Sequence, residues 1–431
     1  MPIYHQTDVS VSRDCSLRRR DFLKCLPAAG VTAAGLSWTD HMALEAAELR
    51  RRGMACIVLW MAGGPSQFET FSPLEGHENG GETKAIATAV PGIRIAQNLP
   101  KVAGVMDELA ILRSVTSKEG NHSRASFLLH TGYVPNPSVK YAALGAHAAH
   151  QIANPACELP AFCRIGGPAR NGGGAGLLGV RYEPFLHRNP QQVPVNTRLT
   201  TNEARHRRRL DLLQRLETDY AAGGAAAEVG DHRQLYENAS RMVLSRHMDA
   251  FDLATEPDKV RGAYGDSQFA AGCLLARRLV EAGVTFVEVA APGWDTHADN
   301  FQRTAELSAQ IDQPMTELIT DLRQRGLLDR TLVVWMGEFG RTPRINGRAG
   351  RDHYPRAFTV AVAGGGVRGG QVIGQVSDDG REVAERPVTV PDLFQTFCRA
   401  LGMDPDREST TSLGRPIKVV EEGRPVEELF G

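Results

Sequence analysis

The sequence predicts an α/β protein built on a mostly parallel, doubly wound sheet with helices on both faces. Two observations support this fold class. Short apolar runs typical of fully buried strands alternate with longer segments of helical spacing, and this alternation is typical of parallel sheets whose strands are connected by helices. In addition, 431 residues are enough for a large hydrophobic core.

The predicted strands are apolar runs, two of which stop at glycines. They cover residues 55–61, 109–115, 284–290, 331–336 and 358–363. Gly63-Gly64-Pro65 ends the first run, and three glycines at 364–366 close the last. An uninterrupted apolar run indicates a strand that is buried on both sides.

The predicted helices cover residues 202–222, 231–250, 267–282, 298–325 and 391–401. The AAGGAAA stretch at 221–227 predicts a break between the first two helices, and the RHRRR run at 205–209 is interpreted as the solvated face of a helix. Residues 164–190, with NGGG at 171–174, predict a long loop that covers the site as a lid. We therefore expect residues 51–431 to form one domain with a helical or lid insertion at about 164–265.

The N-terminal segment predicts export. Residues 16–24 (SLRRRDFLK) resemble the twin-arginine signal, and a short, weakly apolar stretch of signal-peptide length follows at 25–38. Residues 1–50 are therefore expected to be a signal and linker, cleaved or disordered. The alternative is a basic helix start on a surface. Export implies the twin-arginine machinery as a partner and a periplasmic or secreted location.

Composition excludes several classes of protein. The formal net charge of -1 gives no basic field and argues against a nucleic-acid partner. No apolar run approaches the roughly 20 residues that a transmembrane helix needs. The spacing of the cysteines beyond the signal matches no zinc motif, so they are interpreted as buried free thiols, with pairing of Cys157 and Cys163 after export as the alternative.

Residues capable of chemistry follow four of the predicted strands. They are Ser66 and Glu69, residues 120–124, residues 294–297 and residues 337–341. Ligand sites of open α/β sheets lie outside the carboxyl ends of strands, so these clusters are expected to converge although they span almost 300 residues. This convergence is the physical basis for predicting a site.

Carboxylate and imidazole groups in these clusters are candidate metal ligands. Asp295 and His297 are two residues apart, so in an extended segment both side chains point the same way and can share one cation. Asp295 alternatively caps the next helix. Glu338 ends an apolar strand, where it either binds metal or forms a salt bridge to Arg341 or Arg344. Asp352 and His353 either bind metal or lie in an exposed turn.

Ser123 is the candidate nucleophile. It opens a segment, 123–130, that is predicted to be a helix, and the alternative is a simple N-cap. The same position aims backbone N–H groups at an anion, and a nearby dication would lower the pKa of the hydroxyl. Arg124 or Arg341 would then bind the oxygens of a phosphoryl or sulfuryl group in bidentate fashion.

Taken in order, these motifs resemble the alkaline phosphatase superfamily, and more closely the secreted family known as domain of unknown function 1501. The resemblance rests on the segments GGPSQFETF (63–71), NHS (121–123), WDTH (294–297), GEFGRTP (337–343) and GRDHYP (350–355). The resemblance implies an alkaline-phosphatase/sulfatase-like fold with Ser123 as nucleophile and one or two divalent ions (Zn, Mn, Ca or Mg). The implied candidate ligands are Glu69, His122, Asp295, His297, Glu338, Asp352 and His353.

The chain departs from the superfamily pattern at several positions. Gly63 or Gly64 replaces a strand-end Asp, and Glu338-Phe339 replaces an Asp-His pair, which favours one metal or an altered pair. No C/S-x-P-x-R pentapeptide occurs, which argues against a formylglycine sulfatase. The expected function is an exported metal-dependent hydrolase of phosphate or sulfate esters. The alternatives are a non-catalytic exported protein that binds anionic polysaccharide, and polar residues that serve only as structural caps.

Overall fold

A nine-stranded, mostly parallel sheet forms the centre of the protein. The structure is a computed structural model that describes residues 53–167, 172–411 and 413–431, so the predicted export signal lies outside the described residues. The strands are β1 (Ala55–Ala62), β2 (Ala85–Ala87), β3 (Arg94–Ala96), β4 (Leu109–Thr116), β5 (Phe162–Ile165), β6 (Phe185–His187), β7 (Phe286–Pro292), β8 (Thr331–Met336), β9 (Gly340–Arg341), β10 (His353–Tyr354), β11 (Phe358–Ala363), β12 (Gln371–Ile373), β13 (Gln375–Val376), β14 (Val383–Glu385), β15 (Val388–Thr389), β16 (Glu408–Thr410) and β17 (Pro416–Lys418).

Helices connect the strands. They are α1 (Pro100–Ala103), α2 (His122–Thr131), α3 (Leu144–Ile152), α4 (Glu203–Tyr220), α5 (Ala226–Leu244), α6 (Asp258–Tyr264), α7 (Gln268–Glu281), α8 (Asn300–Gln324) and α9 (Val390–Leu401). All five predicted helices have counterparts in α4, α5, α7, α8 and α9, and the five predicted strands correspond to β1, β4, β7, β8 and β11.

The strand order across the sheet is β12-β4-β11-β8-β1-β7-β5-β6, and β15 also pairs with β4. β1 runs parallel to β7 and β8, whereas β11 runs antiparallel to both of its neighbours, β4 and β8. The predicted mostly parallel sheet is therefore confirmed. The reversed direction of β11 places the start of this strand at the edge where the other strands end.

Both faces of the sheet are buried, as the apolar runs predict. In β1, Ile57, Leu59 and Met61 belong to the core that includes α7 and α8, whereas Cys56 and Val58 belong to the core that includes α2, α3 and α9. Burial of apolar surface stabilises the folded state by about 25 cal/mol per Å². The two cores therefore hold the sheet firmly from both faces. The doubly wound arrangement is confirmed.

The segment predicted as a long loop at 164–190 is partly wrong. It contains the end of β5 and all of β6, which extend the edge of the sheet by parallel pairing with each other and, through β5, with β7. These strands have four and three residues and no long apolar run, so the sequence pattern did not reveal them. Residues 168–171, which include the start of the NGGG turn, lie outside the described part of the chain.

The other predictions about helices and thiols are confirmed where the structure describes them. The break at 221–227 is present, with Gly224 at a non-helical φ of 109°, and the arginines of the 205–209 run are exposed. Cys157 is half-buried and the other four described cysteines are buried, all five as free thiols. Among the described residues, no helix combines the length and apolar character that a membrane crossing requires.

Candidate metal centre

Four connections bring polar side chains together at one edge of the sheet. His122 begins α2 a few residues after β4, Asp295 follows β7, and Glu338 follows β8. His353 lies on β10, paired with Arg341 of β9, just before the antiparallel strand β11. The convergence predicted from strand ends is therefore observed for His122, Asp295 and Glu338, and His353 joins them from the segment that precedes β11.

The end of β1 approaches this edge so closely that only glycine fits. Gly63 has a φ of +120°, and a Cβ atom there would lie 2.4 Å from the backbone nitrogen of Asp295. A Cβ at Gly64 would lie 2.7 Å from the ring of Phe339. In place of a side chain, the Gly63 N–H donates to both carboxylate oxygens of Glu338, at 3.0 and 3.1 Å. This close packing is the physical reason why no carboxylate residue ends β1.

Three histidines point Nδ1 at an oxygen that accepts hydrogen bonds. The pairs are His122 with Oε1 of Glu338 (2.8 Å), His297 with Oδ1 of Asp352 (2.9 Å) and His353 with the carbonyl oxygen of Gly120 (2.8 Å). In each pair the neutral imidazole donates from Nδ1, which leaves the lone pair on Nε2. Metal-binding histidines typically hold their second nitrogen in this way.

The three Nε2 atoms converge on the carboxylate of Asp295. Nε2 of His297 lies 3.0 Å from Nε2 of His353 and 3.2 Å from Oδ1 of Asp295, and Nε2 of His353 lies 3.4 Å from the same oxygen. Nε2 of His122 lies 3.4 Å from Oδ2 of Asp295 and is buried without a hydrogen-bond partner. His122, Asp295 and His353 each offer a ligand atom within 4.8 Å of the others.

These residues fit a divalent metal ion. Lone pairs that face one another without a proton between them repel, and a shared cation removes that repulsion. Ligand atoms at about 2.0–2.1 Å from one Zn²⁺ lie roughly 3.3 Å apart in a tetrahedral site, and each Nε2 atom lies 3.2 to 3.4 Å from an oxygen of Asp295. The set whose ligand atoms all lie within 4.8 Å of one another is His122, Asp295 and His353, and His297 adjoins it through His353. Imidazole with carboxylate suits zinc and other first-row divalent ions.

The buried guanidinium of Arg341 stabilises the negative charge of Asp295. This fully buried group donates to Oδ1 of Asp295 at 2.7 Å and to the carbonyl oxygens of Gly63, Gly64 (2.8 Å), Trp294 and Arg351 (both 3.1 Å). Partial burial is the largest influence on the pKa of Asp295 and raises it, but the hydrogen bond and charge of Arg341, with the nearby histidines, outweigh it and lower the pKa to about 2. Because its guanidinium is committed to protein groups, Arg341 does not fit the predicted role of binding substrate oxygens.

The surroundings shift the pKa values of His122 and His353 in opposite directions. The hydrogen bond to Glu338 is the main cause of a raised pKa at His122. Burial lowers the pKa of His353, which favours the neutral form that binds metal ions. Glu338 and Asp352, both predicted as metal ligands, instead hold His122 and His297 by their Nδ1 atoms.

Two other predicted site residues are paired elsewhere. Glu69 is fully buried and bonds the guanidinium of Arg351 at 2.8 Å, so its carboxylate neutralises an arginine. Arg124 bonds Glu119 at 2.6 and 2.8 Å, so its guanidinium is also engaged. The guanidinium of Arg124 is therefore not free to bind substrate oxygens, and Oε1 of Glu69 is held by Arg351, whereas Oε2 of Glu69 is buried without a hydrogen-bond partner among the described residues.

Ser123 is exposed on the first turn of α2, next to His122. The helix begins one residue earlier than predicted, because the side chain of Asn121 caps it by accepting from the N–H groups of Ser123 and Arg124. Ser123 is therefore not the N-cap, and those two N–H groups are satisfied by Asn121 rather than directed at an anion. The carbonyl oxygen of Gly120 orients His353, a backbone role that no sequence motif signals.

A model of the DUF1501 family matches residues 54–430. The chain belongs to the DUF1501 family. The family is described as a protein of unknown function, and no curated protein matches this DUF1501 chain.

Solved structures that are similar to this DUF1501 protein include two hydrolases and a zinc complex. The PsFucS1 sulfatase from Pseudoalteromonas sp. is 13% identical, with 84% of this chain and 72% of that chain covered and a TM-score of 0.40. The phosphonate monoester hydrolase of Agrobacterium radiobacter is 10% identical, with 88% and 77% covered and a TM-score of 0.39. The C-terminal periplasmic domain of EcEptC from Escherichia coli, in complex with Zn, is 10% identical, with 88% and 95% covered and a TM-score of 0.35.

Proposed function

We propose that this DUF1501 protein hydrolyses phosphate or sulfate esters with the help of one divalent metal ion. The observation that carries the proposal is the convergence of three imidazole Nε2 atoms on Asp295, with every Nδ1 held by an oxygen. His122, Asp295, His297 and His353 would hold the ion. A fully buried arginine beside the carboxylate keeps Asp295 ionised.

The exposure of the ligands favours a catalytic site over a structural one. The side chains of His122 and His297 are each 34% exposed, that of Asp295 is 44% exposed and that of His353 is 24% exposed. Structural metal sites are closed, whereas catalytic sites keep a position open to solvent or substrate. When bound, a divalent ion supplies Lewis-acid stabilisation of the charge that develops on ester oxygens.

One ion is favoured over two. The ring of Phe339 is buried and lies with its centroid 4.4 Å from that of His353 and 5.0 Å from that of His122. A hydrocarbon ring offers no ligand atom on this side, and Gly63 has no room for a carboxylate. The residues present therefore support a single ion rather than a pair.

Ser123 is proposed as the nucleophile because it is exposed and follows the candidate ligand His122 on the first turn of α2. Its Oγ forms a bond to the phosphorus or sulfur of the ester, the bond to the alcohol oxygen breaks, and the alcohol leaves with the hydroxyl proton. Water then hydrolyses the serine ester and restores the hydroxyl. His122 stays fixed during these steps because Glu338 holds its Nδ1.

The test is turnover by the full chain, purified free of metal and then loaded separately with Zn²⁺, Mn²⁺, Ca²⁺ or Mg²⁺. The substrates are p-nitrophenyl phosphate, bis-p-nitrophenyl phosphate and p-nitrophenyl sulfate. We expect metal-dependent turnover that falls by at least about 100-fold in Ser123→Ala. The matched control is Ser138→Ala, since Ser138 is also exposed and its N–H also donates to the side chain of an asparagine two residues earlier.

Two outcomes contradict the proposal. One is the absence of turnover of all three esters with all four ions, in which case binding of a sulfated polysaccharide without turnover would favour the non-catalytic alternative. The other is full activity in Ser123→Ala, which would remove the nucleophile from the scheme while leaving metal chemistry in place.

We also propose that the chain is exported by the twin-arginine route, on the basis of the RRDFLK sequence at 19–24. Replacing Arg19 and Arg20 together by lysine keeps the charge and removes the paired arginines. We expect the wild-type chain in the periplasmic or secreted fraction and the double variant in the cytoplasm, as measured by immunoblotting of cell fractions. Equal export of the two chains would contradict this proposal.

A further inference from the structure

The carboxyl edge of the sheet continues beyond the candidate metal centre. The residues of that centre follow β4, β7 and β8 or precede β11. Strands β5 and β6, which extend the sheet on the far side of β7, contribute none of them. Because β5 and β6 run parallel to β7, their carboxyl ends lie at the same edge as Asp295. This part of the edge can therefore bind a portion of the substrate that does not itself react.

A cavity of about 360 Å³ lies at the carboxyl ends of β5, β6 and β7. Its walls come from Ile165 at the end of β5, the carboxyl half of β7, the segments 166–167 and 188–190, and Gln268, the first residue of α7. Clefts that bind small molecules in proteins usually have volumes of roughly 300–1,000 Å³. The cavity is therefore large enough to hold the alcohol part of an ester.

The cavity is close to the candidate metal centre, both along the chain and across the sheet. Pro292 lines the cavity and Asp295 lies three residues later, so the Cα atoms of these two residues are at most about 11 Å apart. Arg188 follows β6, which is two strands away from β7, and two strand spacings amount to about 10 Å. One small molecule can therefore reach from the metal centre into the cavity.

The lining of the cavity favours an apolar chain that ends in an anionic group. Ile165, Val289 and Pro292 supply apolar surface. Arg188 is the only ionisable side chain among the described residues that line the cavity. It is exposed and has no ion-pair partner within the described part of the chain. The cavity thus combines apolar walls with one cation whose charge is not neutralised by a neighbouring carboxylate.

Two further groups beside Arg188 favour negative charge. Oδ1 of Asn189 accepts from the N–H of Gln191 at 3.2 Å, so Nδ2 is the polar atom of this amide that is left to donate to a ligand. Gln268 begins the 14-residue helix α7, so the positive end of the helix dipole lies at the cavity. Asp266, the acidic residue just before α7, lines a neighbouring cavity instead.

We propose that this cavity binds a second anionic group of the substrate, carried by the alcohol part of the ester about two strand spacings from the group that reacts. Arg188 determines this specificity, because a guanidinium donates two hydrogen bonds to the oxygens of a carboxylate, sulfate or phosphate. The inference rests on the proposed ester hydrolysis, and it narrows the substrates to esters whose alcohol part is itself an anion.

The test is the binding of two phosphonates to the Zn²⁺-loaded full chain, measured by isothermal titration calorimetry. They are 8-phosphonooctanoate and its neutral amide, 8-phosphonooctanamide. The phosphonate replaces the ester group, and the extended chain separates it from the carboxylate by about two strand spacings. In the wild type we expect the carboxylate to bind at least about tenfold more tightly than the amide, since hydrogen bonds to charged groups contribute about 1.5–3 kcal/mol.

Variants of Arg188 connect this preference to the cavity. We expect equal binding of the two ligands in Arg188→Gln, and tighter binding of the amide than of the carboxylate in Arg188→Glu. Arg181→Gln is the matched control, because Arg181 is also exposed but precedes β6 and lies at the opposite end of this strand. This control variant should keep the wild-type preference for the carboxylate.

The outcomes separate this inference from the proposed hydrolysis. Equal binding of the two ligands in the wild type, no binding of either, or a preference that survives Arg188→Gln would overturn the inference, even in a chain that turns over p-nitrophenyl esters. A preference that depends on Arg188 in a chain that turns over no ester would support the anion-binding cavity. That result would at the same time contradict hydrolysis and favour the non-catalytic alternative.

Discussion

Nδ1 of His122 lies 2.8 Å from the buried carboxylate of Glu338, which also accepts the N–H of Gly63. The contact joins α2, β8 and β1 at the edge of the sheet where the candidate ligands meet. Glu338 thereby fixes the ring of His122 so that Nε2 faces Asp295. The sequence predicts a metal ligand at position 338, whereas in the structure Glu338 orients His122, which is itself a candidate ligand.

Glu338→Gln tests this orienting role. Glutamine keeps the size of the side chain and an acceptor for Gly63, but it lacks the charge that fixes the proton on Nδ1 of His122. We expect the affinity for Zn²⁺ to fall by roughly 10–100-fold, measured by competition with a chromogenic chelator. Glu119→Gln is the control, because Glu119 pairs with Arg124 beside the same helix. Equal affinities in the wild type and Glu338→Gln would refute the role.

Gly63→Ala tests the close approach of β1 to Asp295. The new Cβ would lie 2.4 Å from the backbone nitrogen of Asp295, at a φ of +120°. We expect the free energy of unfolding to fall by roughly 3 kcal/mol or more, measured by urea denaturation. Gly76→Ala separates the cost of the positive φ from the cost of the steric contact. Gly76 has a φ of +84° but nothing within 4 Å of its Cβ position. There we expect only the backbone cost of about 1 kcal/mol; equal losses would mean that the contact with Asp295 is unimportant.

Because Glu288 of β7 is buried as a carboxylate, we expect the free energy of unfolding to decrease at acidic pH. Burial is the largest influence and raises the pKa of Glu288, but the charges and hydrogen bonds of Arg164 and His130 outweigh it and lower the pKa from 4.5 to about 2. A lowered pKa in the folded state contributes stability that is present above pH 4.5 and is lost as the pH falls toward 2. The contribution at neutral pH is on the order of 3 kcal/mol.

Glu288→Gln is therefore expected to be less stable at pH 7 and to lose less further stability between pH 4.5 and 2 than the wild type does. The measurement is urea denaturation at a series of pH values. Glu385→Gln, at an exposed position of β14, is the control and should follow the wild type. An unchanged slope in Glu288→Gln below pH 4.5 would show that this carboxylate does not govern acid stability.

The sequence was sufficient for the parts of the fold that depend on local patterns. The β8 run TLVVWM is buried at every position, and its bounds are those predicted. The apolar pattern of residues 358–363 could not predict the direction of β11, because a buried strand has the same pattern whether it is parallel or antiparallel to its neighbours. It also missed α3, whose N-terminal flank, Ala143, makes no side-chain cap and so gives no signal for a helix start.

The candidate site was predictable in position but not in the role of each residue. The rule that sites lie at carboxyl strand ends brought His122, Asp295 and Glu338 together correctly, whereas His353 was suggested by the family resemblance. The bonds of Arg341 to the carbonyl groups of Gly63 and Gly64, and of Arg351 to Glu69, join segments that are 277 to 282 residues apart, and spacing along the chain does not encode such packing.

The most direct test is the number of metal ions bound per chain, measured by inductively coupled plasma mass spectrometry on the full chain after loading with Zn²⁺ and removal of free metal. We expect one ion in the wild type, and loss of that ion in Asp295→Asn and His353→Ala. His206→Ala is the control, because His206 of α4 bonds Ser240 of α5, and this variant should keep the ion. No bound ion in the wild type, two ions, or one ion retained in both ligand variants would contradict a single metal centre held by His122, Asp295, His297 and His353.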